Sequence, residues 1–480
     1  MNVWFEFIEG EPIRDVIDID QIWPCRQKTA HELITEDRRF EPRLLTYDPS
    51  ISKYIARTTV TGHGQQGEFE PRTHFIEIGG FKRQWRVWTE CSENPIFPQG
   101  GTWIFDRAGW CPGQASDVRI TDLTEFLEFA SEEDRIIDYG LETVAGASNY
   151  LVSSQLITYG ELNRNLDLEV LDIINPSQKV EHGRFNPGCK FPEIVLRNNG
   201  SENITSATLR YGIEGGETFT HEFSGVIISE DQREIILNNH FLPLVSSTST
   251  FFVEIVSVNG GSNDDFSDND RLTSVMEVLD HYNSGIVIEF GTNQANFETS
   301  FRVLDEDRNT VLFVDGGLSP FTTSRDTLSG LNGCYTLEVL DSDSDGLDFF
   351  ANGDGIGFLR LRELGGPTKV IEPDFGRFVN YAFTAGLISS TEEPEKEGLS
   401  LFPNPTNGRL YVNGLGEWSA NVSVQVYDQT GRLFFSEDNL DKYQLADGQL
   451  EAITDLPDGL YYLTITDDRQ MQTRSFVKQQ

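Results

Sequence analysis

Short runs in which apolar and polar residues alternate with period two recur along most of the chain, the pattern of half-buried β-strands. THFIEI at 73–78, IIDYGLETV at 136–144 and YLVSSQLITYG at 150–160 read this way. So do EIVLRN, ATLRYGI, HEFSGVIIS, REIILN and TFFVEIVSV between 193 and 258. Further along come SFRVLDE, TVLFVDG, CYTLEVLD, IGFLRLRE and RFVNYAF between 300 and 383, then VSVQVYDQTGRLFF and LPDGLYYLTI after 420. A helix is arguable only for LTEFLEFASEED at 123–134, and residues 11–57 read as a connection with short strand-like pieces. The expected fold class is all-β, in modules at 1–162, 163–284, 285–388 and 399–480, with a charged linker SSTEEPEKEG at 389–398.

Composition narrows the partners. The 480 residues carry 77 Asp and Glu against 37 Lys and Arg, a formal net charge of -40, which excludes nucleic acid and anionic membrane surfaces as partners. No apolar run is long enough to span a bilayer, and the first residues hold no charged n-region, apolar h-region or cleavage site. Five cysteines are compatible with an oxidising compartment.

Polar and aromatic residues that need partners are densest at 58–113, TTVTGHGQQGEFEPRTHFIEIGGFKRQWRVWTECSENPIFPQGGTWIFDRAGWCPG. The glycine-punctuated TGHGQQGEF reads as a loop that delivers Glu68 to the entrance of the strand THFIEI. Cys91 and Cys111 enclose Pro95, Pro98, Gly100 and Gly101, a segment without regular structure that needs a staple, so these two are expected to form a disulfide. Cys25, Cys189 and Cys334 are then left as buried free thiols. His74 is read as a strand histidine satisfied by neighbouring backbone, and most of Trp85, Trp88, Trp103 and Trp110 as packing.

RTTVTGHG, GEFEPRTHFIEI, CSENP and above all GTWIFDRAGWCPG resemble the C-terminal lobe of the peptide-N-glycosidase F family, over roughly the first third of the chain. The resemblance implies a jelly-roll lobe and an amidase that removes N-linked glycans from asparagine. It implies Glu68 and Arg107 as catalytic-site residues, and His63, Phe69 and Trp110 as substrate-binding ones. His63 and Phe69 stand where the family has tryptophan, and Gln66 and Glu70 stand where it has a small disulfide. The family's principal catalytic aspartate lies in an N-terminal lobe, and VWFEFIEG at 3–10 resembles that lobe's last strand. The chain is therefore expected to be the C-terminal part of a longer protein, with its signal peptide upstream.

The later modules resemble other families. PEIVLRNNGSENITSATLRYGI at 192–213 looks like an immunoglobulin-type sandwich, with no site in it. Residues 285–388 look like a CUB-like module, and DSDSDGLDFFANGDG at 341–355 crowds Asp341, Asp343, Asp345 and Asp348 about Gly346. The start matches a calcium loop, although the twelfth position is Asn352 rather than a glutamate and no helices flank it. These four aspartates are assigned a structural calcium, against a solvated acidic turn. No cofactor is expected for catalysis. PNPTNG, D-x-TG-R, LPDG-x-Y and a last lysine-bearing strand together resemble the type A C-terminal sorting domain of the type IX secretion system. That resemblance implies the outer-membrane secretion machinery as a partner, and the cell surface or the medium as the destination.

The leading expectation is a secreted amidase acting on N-glycosylated proteins or glycopeptides. The alternative is a non-enzymatic adhesin or glycan-binding protein, in which Glu68 and Arg107 are a buried ion pair closing the cleft floor. A copper monooxygenase of the same double jelly-roll fold is set aside, because it needs histidine clusters and a methionine ligand, and the core stretch holds His63 and His74 and no methionine.

Overall fold

The computed structural model describes all residues except 1–9, 143–145, 185–187, 238–247, 262–263, 277, 284, 364–365, 367, 387–398, 416–417, 429–431, 447–449, 451–452, 468–470 and 480. The expected strand at 3–10, save Gly10, and the linker at 389–398 lie outside the described residues. Two compact units divide the chain, Met1–Leu387 and Ile388–Gln480. Strands dominate both, and the helices are single turns or little more.

The first module pairs two antiparallel sheets. One runs in the order Arg14–Trp23, Asn149–Leu162, Lys53–His63, Val118–Asp122, with Thr29–Ala30 added to Asn149–Leu162. The other runs Arg43–Leu44, Ile136–Leu141, Arg72–Ile78, Phe81–Val87. In Asn149–Leu162 every second residue from Tyr150 to Thr158 is buried, the alternation of a strand with one face inward. Tyr150, Val152 and Leu156 meet Ile76, Ile137 and Tyr139 of the facing sheet in one core, each large side chain contributing about 2 kcal/mol by burial.

Residues 11–57 are more than a connection. Arg14–Trp23 is a ten-residue strand, but most of its side chains are exposed, so period-two burial leaves no mark on its sequence. His31–Thr35 is a helical turn, and the arguable helix at 123–134 resolves into Thr124–Phe129 followed by a 3-10 turn.

The second module is a sandwich of three strands on four. The third sets the sheet Asp280–Tyr282, Phe378–Ala385, Gly333–Asp341, Thr299–Leu304, Thr310–Val314 against a second of four strands. Asp280–Tyr282, on the second module's side of the expected boundary at 284, runs parallel to Phe378–Ala385 and so belongs to the third module's sheet.

Cys91 and Cys111 are bonded. So are Cys189 and Cys334, with Cα atoms 5.4 Å apart, where free thiols were expected. The bridge joins the turn before Glu193–Asn198 to a strand of the third module, a pairing that 145 residues of separation hide from any spacing rule. Cys25 is free and exposed rather than buried.

The second unit is a smaller sandwich. Its four-stranded sheet runs Leu433–Asp441, Asn421–Asp428, Gly459–Thr466, Met471–Lys478, beside the pair Ser400–Phe402 and Tyr411–Asn413. Val422, Val424, Val426, Leu463, Ile465 and Phe476 fill its core.

Candidate functional site

Glu68 reaches its place through one helical turn, Gln65–Glu68, where a plain loop was expected. Gly64, at φ 76°, turns the chain out of the strand Lys53–His63, and the amide of Glu68 closes the turn on the Gly64 carbonyl at 2.7 Å. Over this turn lies the loop that carries Arg107. Thr89 and Arg107 exchange backbone hydrogen bonds at 2.8 and 3.1 Å, the Ala108 amide donates to the Glu68 carbonyl at 2.9 Å, and the Gly62 amide donates to the Ala108 carbonyl at 2.9 Å. Two glycines permit so close an approach. A Cβ on Gly62 would lie 1.8 Å from the Gly67 carbonyl oxygen, and one on Gly109 (φ +77°) would lie 2.1 Å from that of Val60. The disulfide Cys91–Cys111 closes the loop behind Arg107.

The two side chains form an ion pair, Arg107 Nε donating to Glu68 Oε1 at 3.2 Å. The Arg107 side chain is 5% exposed and that of Glu68 21%. Arg107 Nη1 donates to the carbonyls of Phe105 at 2.6 Å and Trp103 at 3.4 Å; Nη2 donates to the carbonyl of Thr102 at 2.8 Å and its hydroxyl at 3.2 Å. A guanidinium has five N–H donors, and these acceptors use all five. Arg107 therefore has no N–H left to offer, while the Glu68 side chain stays partly open to solvent.

Phe69, His63 and Trp110, the expected substrate-binding residues, gather at this pair. The Arg107 guanidinium lies 5.3 Å from the Phe69 ring centre and 5.2 Å from that of Trp110. Trp110 stacks on His63 at 6.1 Å and donates its indole N–H to the Gly62 carbonyl at 3.2 Å. His63 Nε2 lies 2.9 Å from Thr61 Oγ1. Burial lowers the His63 pKa, Lys28 adds to that, and the charge on Glu68 opposes it. All three rings are half-buried.

Elsewhere in the stretch the residues serve the fold. His74 is fully buried, with Nδ1 2.6 Å from the Tyr139 hydroxyl, so its partner is a side chain rather than the expected backbone. Burial pushes its pKa down to about 3. Trp85 packs against the first core. Trp103, 1% exposed, donates its indole N–H to Asp374 of the third module. Sequence reasoning passed over Thr102 and Asp374 altogether. The first anchors by its carbonyl, which no residue type advertises, and the second lies 271 positions from its partner.

The acidic loop of the third module gathers a different set of carboxylates from the one expected. Glu298, Asp341 and Asp345 bring ligand oxygens within 4.8 Å of one another. Asp343 is exposed and Asp348 half-buried, and neither belongs to the group. Asp341 is held by the Thr299 hydroxyl at 2.9 Å and the Asp345 amide at 3.2 Å, and Asp345 by the Asn352 amide at 2.6 Å. Glu298 Oε2 and Asp345 Oδ1 are buried without a hydrogen-bond partner, a donor set that fits a hard divalent cation. Burial, reinforced by the neighbouring aspartates, pushes the Glu298 pKa up to about 7. Burial also raises that of Asp341 to about 6.

Comparisons with known proteins bear on both units. Residues 36–157 match the family model described as "Peptide-N-glycosidase F, C terminal", and residues 400–479 the one described as "Secretion system C-terminal sorting domain". The chain is similar to the peptide-N(4)-(N-acetyl-beta-D-glucosaminyl)asparagine amidase F of Elizabethkingia miricola, 34% identical over 124 residues, which cover 22% of this chain and 35% of that protein. The chain thus spans about a third of that relative's length. Among solved structures it is similar to PNGase F, a glycosylasparaginase from Flavobacterium meningosepticum, at 24% identity over 32% of this chain and 55% of that one, with a TM-score of 0.25. A second is a peptide-N(4)-(N-acetyl-beta-D-glucosaminyl)asparagine amidase at 29% identity, 23% and 41% coverage, and a TM-score of 0.20.

Proposed function

We propose that this chain, which carries a peptide-N-glycosidase F C-terminal domain and a type IX secretion sorting domain, acts outside the cell on asparagine-linked glycans of glycoproteins. The reaction is hydrolysis of the amide between the asparagine side chain and the first sugar. Water adds to the amide carbonyl, the C–N bond breaks, the nitrogen leaves with the sugar as a glycosylamine, and aspartate remains. Such a step needs a placed carboxylate to orient water or sugar and a donor for the developing oxyanion.

Glu68 is the group that meets the substrate, and the observation that carries the reading is its partly exposed side chain on a wholly committed Arg107. Arg107 acts through Glu68, as a positioning residue. Phe69 and Trp110, half-buried beside the pair, offer apolar ring edges to a sugar, and His63, which stacks on Trp110 and whose pKa burial lowers, supplies a hydrogen-bonding edge beside them.

The second proposed site is structural. Glu298, Asp341 and Asp345 hold a divalent cation, calcium by their all-oxygen donor set, which fixes the loop after the strand Gly333–Asp341.

The test of the enzymatic reading is mass spectrometry of an N-glycopeptide incubated with the full chain and with Glu68→Gln. The expected result is a free glycan and aspartate in place of asparagine, with turnover about a hundredfold lower in the variant. Glycopeptide binding without any release assigns the same site to a glycan-binding protein; equal turnover in both chains removes Glu68 from the reaction.

A further inference from the structure

Arg107 is held by the carbonyls of Thr102, Trp103 and Phe105, so what fixes this turn fixes the ion pair at Glu68. Trp103 and Ile104 form a separate small core with Phe349 of the third module, flanked by Phe97. The Trp103 indole N–H points between both oxygens of Asp374, at 3.0 and 3.1 Å. Phe105 meets Phe349 edge to face at 5.7 Å. A Cβ on Gly376, at φ +68°, would lie 3.0 Å from the Trp103 ring and 2.5 Å from the Ser92 carbonyl oxygen, so the third module's backbone lies directly on the lobe here.

Other contacts make that docking firm. Arg184 donates to the carbonyls of Ser92 at 2.8 Å and Asn94 at 2.5 Å on the lobe, and to that of Phe378 at 2.8 Å on the third module. Arg377 pairs with Glu90 and Glu93 at 2.9 and 2.6 Å.

We infer that the third module completes the Glu68–Arg107 site, with Asp374 as a positioning residue that anchors Trp103 and, through the carbonyls of the 102–105 turn, the guanidinium of Arg107. This rests on the reading of Glu68 and Arg107 as the working pair. A site whose second support comes from a module so far along the chain works fully only when both modules are docked. Asp374 touches neither substrate nor Glu68, and its effect passes through Trp103.

The test is hydrogen–deuterium exchange of the full chain, read on the peptide spanning 102–111, whose Arg107 and Ala108 amides bond to Thr89 and Glu68. Asp374→Ala should speed exchange there by about tenfold or more, the factor that loss of a hydrogen bond to a charged group implies. Exchange in the strand Phe378–Ala385 should stay unchanged, the sign that the third module is folded. Asp374→Asn keeps an acceptor oxygen for the indole and should restore protection. Trp103→Phe, which lacks the donor, should reproduce Asp374→Ala, and the double variant should add nothing. In glycopeptide turnover Asp374→Ala should lower kcat and leave KM in place. Unchanged exchange at 102–111 in Asp374→Ala, no recovery in Asp374→Asn, or an effect on KM alone overturns the inference. Exchange needs no substrate, so a chain that releases no glycan defeats the amidase reading and leaves this result standing.

Discussion

Arg107 gives one guanidinium hydrogen to Glu68 and the other four to the short turn just before it in sequence, Thr102 to Phe105. The geometry is that of a planar fork and does not suit a point charge. Arg107→Lys keeps the charge but has three donors on a flexible stem, so at least two buried acceptors lose their partners. At about 1–3 kcal/mol for each unpaired group, the first module's calorimetric transition should fall by about 4 °C or more. A melting temperature unchanged in Arg107→Lys would mean that the turn does not depend on the fork.

The acidic pocket makes a claim that binding alone can check. Terbium luminescence, displaced by calcium, should be lost in Glu298→Gln and in Asp345→Asn and retained in Asp343→Asn, because Asp343 lies outside the cluster. Loss in all three variants, or no signal in the parent, removes the site.

The same pocket predicts a pH dependence. Glu298 and Asp341 have folded pKa values raised to about 7 and about 6 from ordinary values of 4.5 and 3.8. Without a cation their stabilising contribution is complete below the ordinary values and is lost as pH rises through about 6 to 7, since the fold binds protons that the unfolded chain has released. A bound divalent cation stabilises the ionised forms and cancels the loss. In thermal unfolding, calcium against a chelator should therefore raise the melting temperature more at about pH 8 than at about pH 5. An equal rise at both would separate the cation from these carboxylates.

His74 works in the opposite direction. Its folded pKa is about 3 against an ordinary 6.5, so its contribution is present above 6.5 and is lost as pH falls toward 3. The imidazole nitrogen shifts of folded protein should show His74 neutral at about pH 5, where an unburied histidine is charged. A charged His74 in folded protein at that pH contradicts its burial beside Tyr139.

Alkylation of the native, unreduced chain should add one label, on Cys25, the exposed thiol, while Cys91, Cys111, Cys189 and Cys334 stay blocked. Cys334→Ser should free Cys189 to react and destabilise the first unit by about 2–4 kcal/mol. A label on Cys189 in the parent chain would contradict the bridge.

Legibility in the sequence followed distance along the chain. Strands such as Arg72–Ile78 and Asn149–Leu162 show in the alternation because one face of each is buried, whereas Arg14–Trp23, exposed along most of its length, does not. Glu68 and Arg107 were within reach through the family resemblance that GEFEPRTHFIEI and GTWIFDRAGWCPG carry, but the carbonyls that hold Arg107 belong to any residue type. Glu298 lies 43 positions before Asp341 and carries no motif. Trp103 with Asp374, and Cys189 with Cys334, are meetings between modules, which local pattern cannot foretell.

The bridge between Cys189 and Cys334 turns the chain between them, which runs from the second module into the third, into a covalent ring. A ring does not cross a barrier as a single extended thread. Once it has closed, any pore that this stretch passes must admit at least two lengths of chain side by side, however much of the two sandwiches is unfolded.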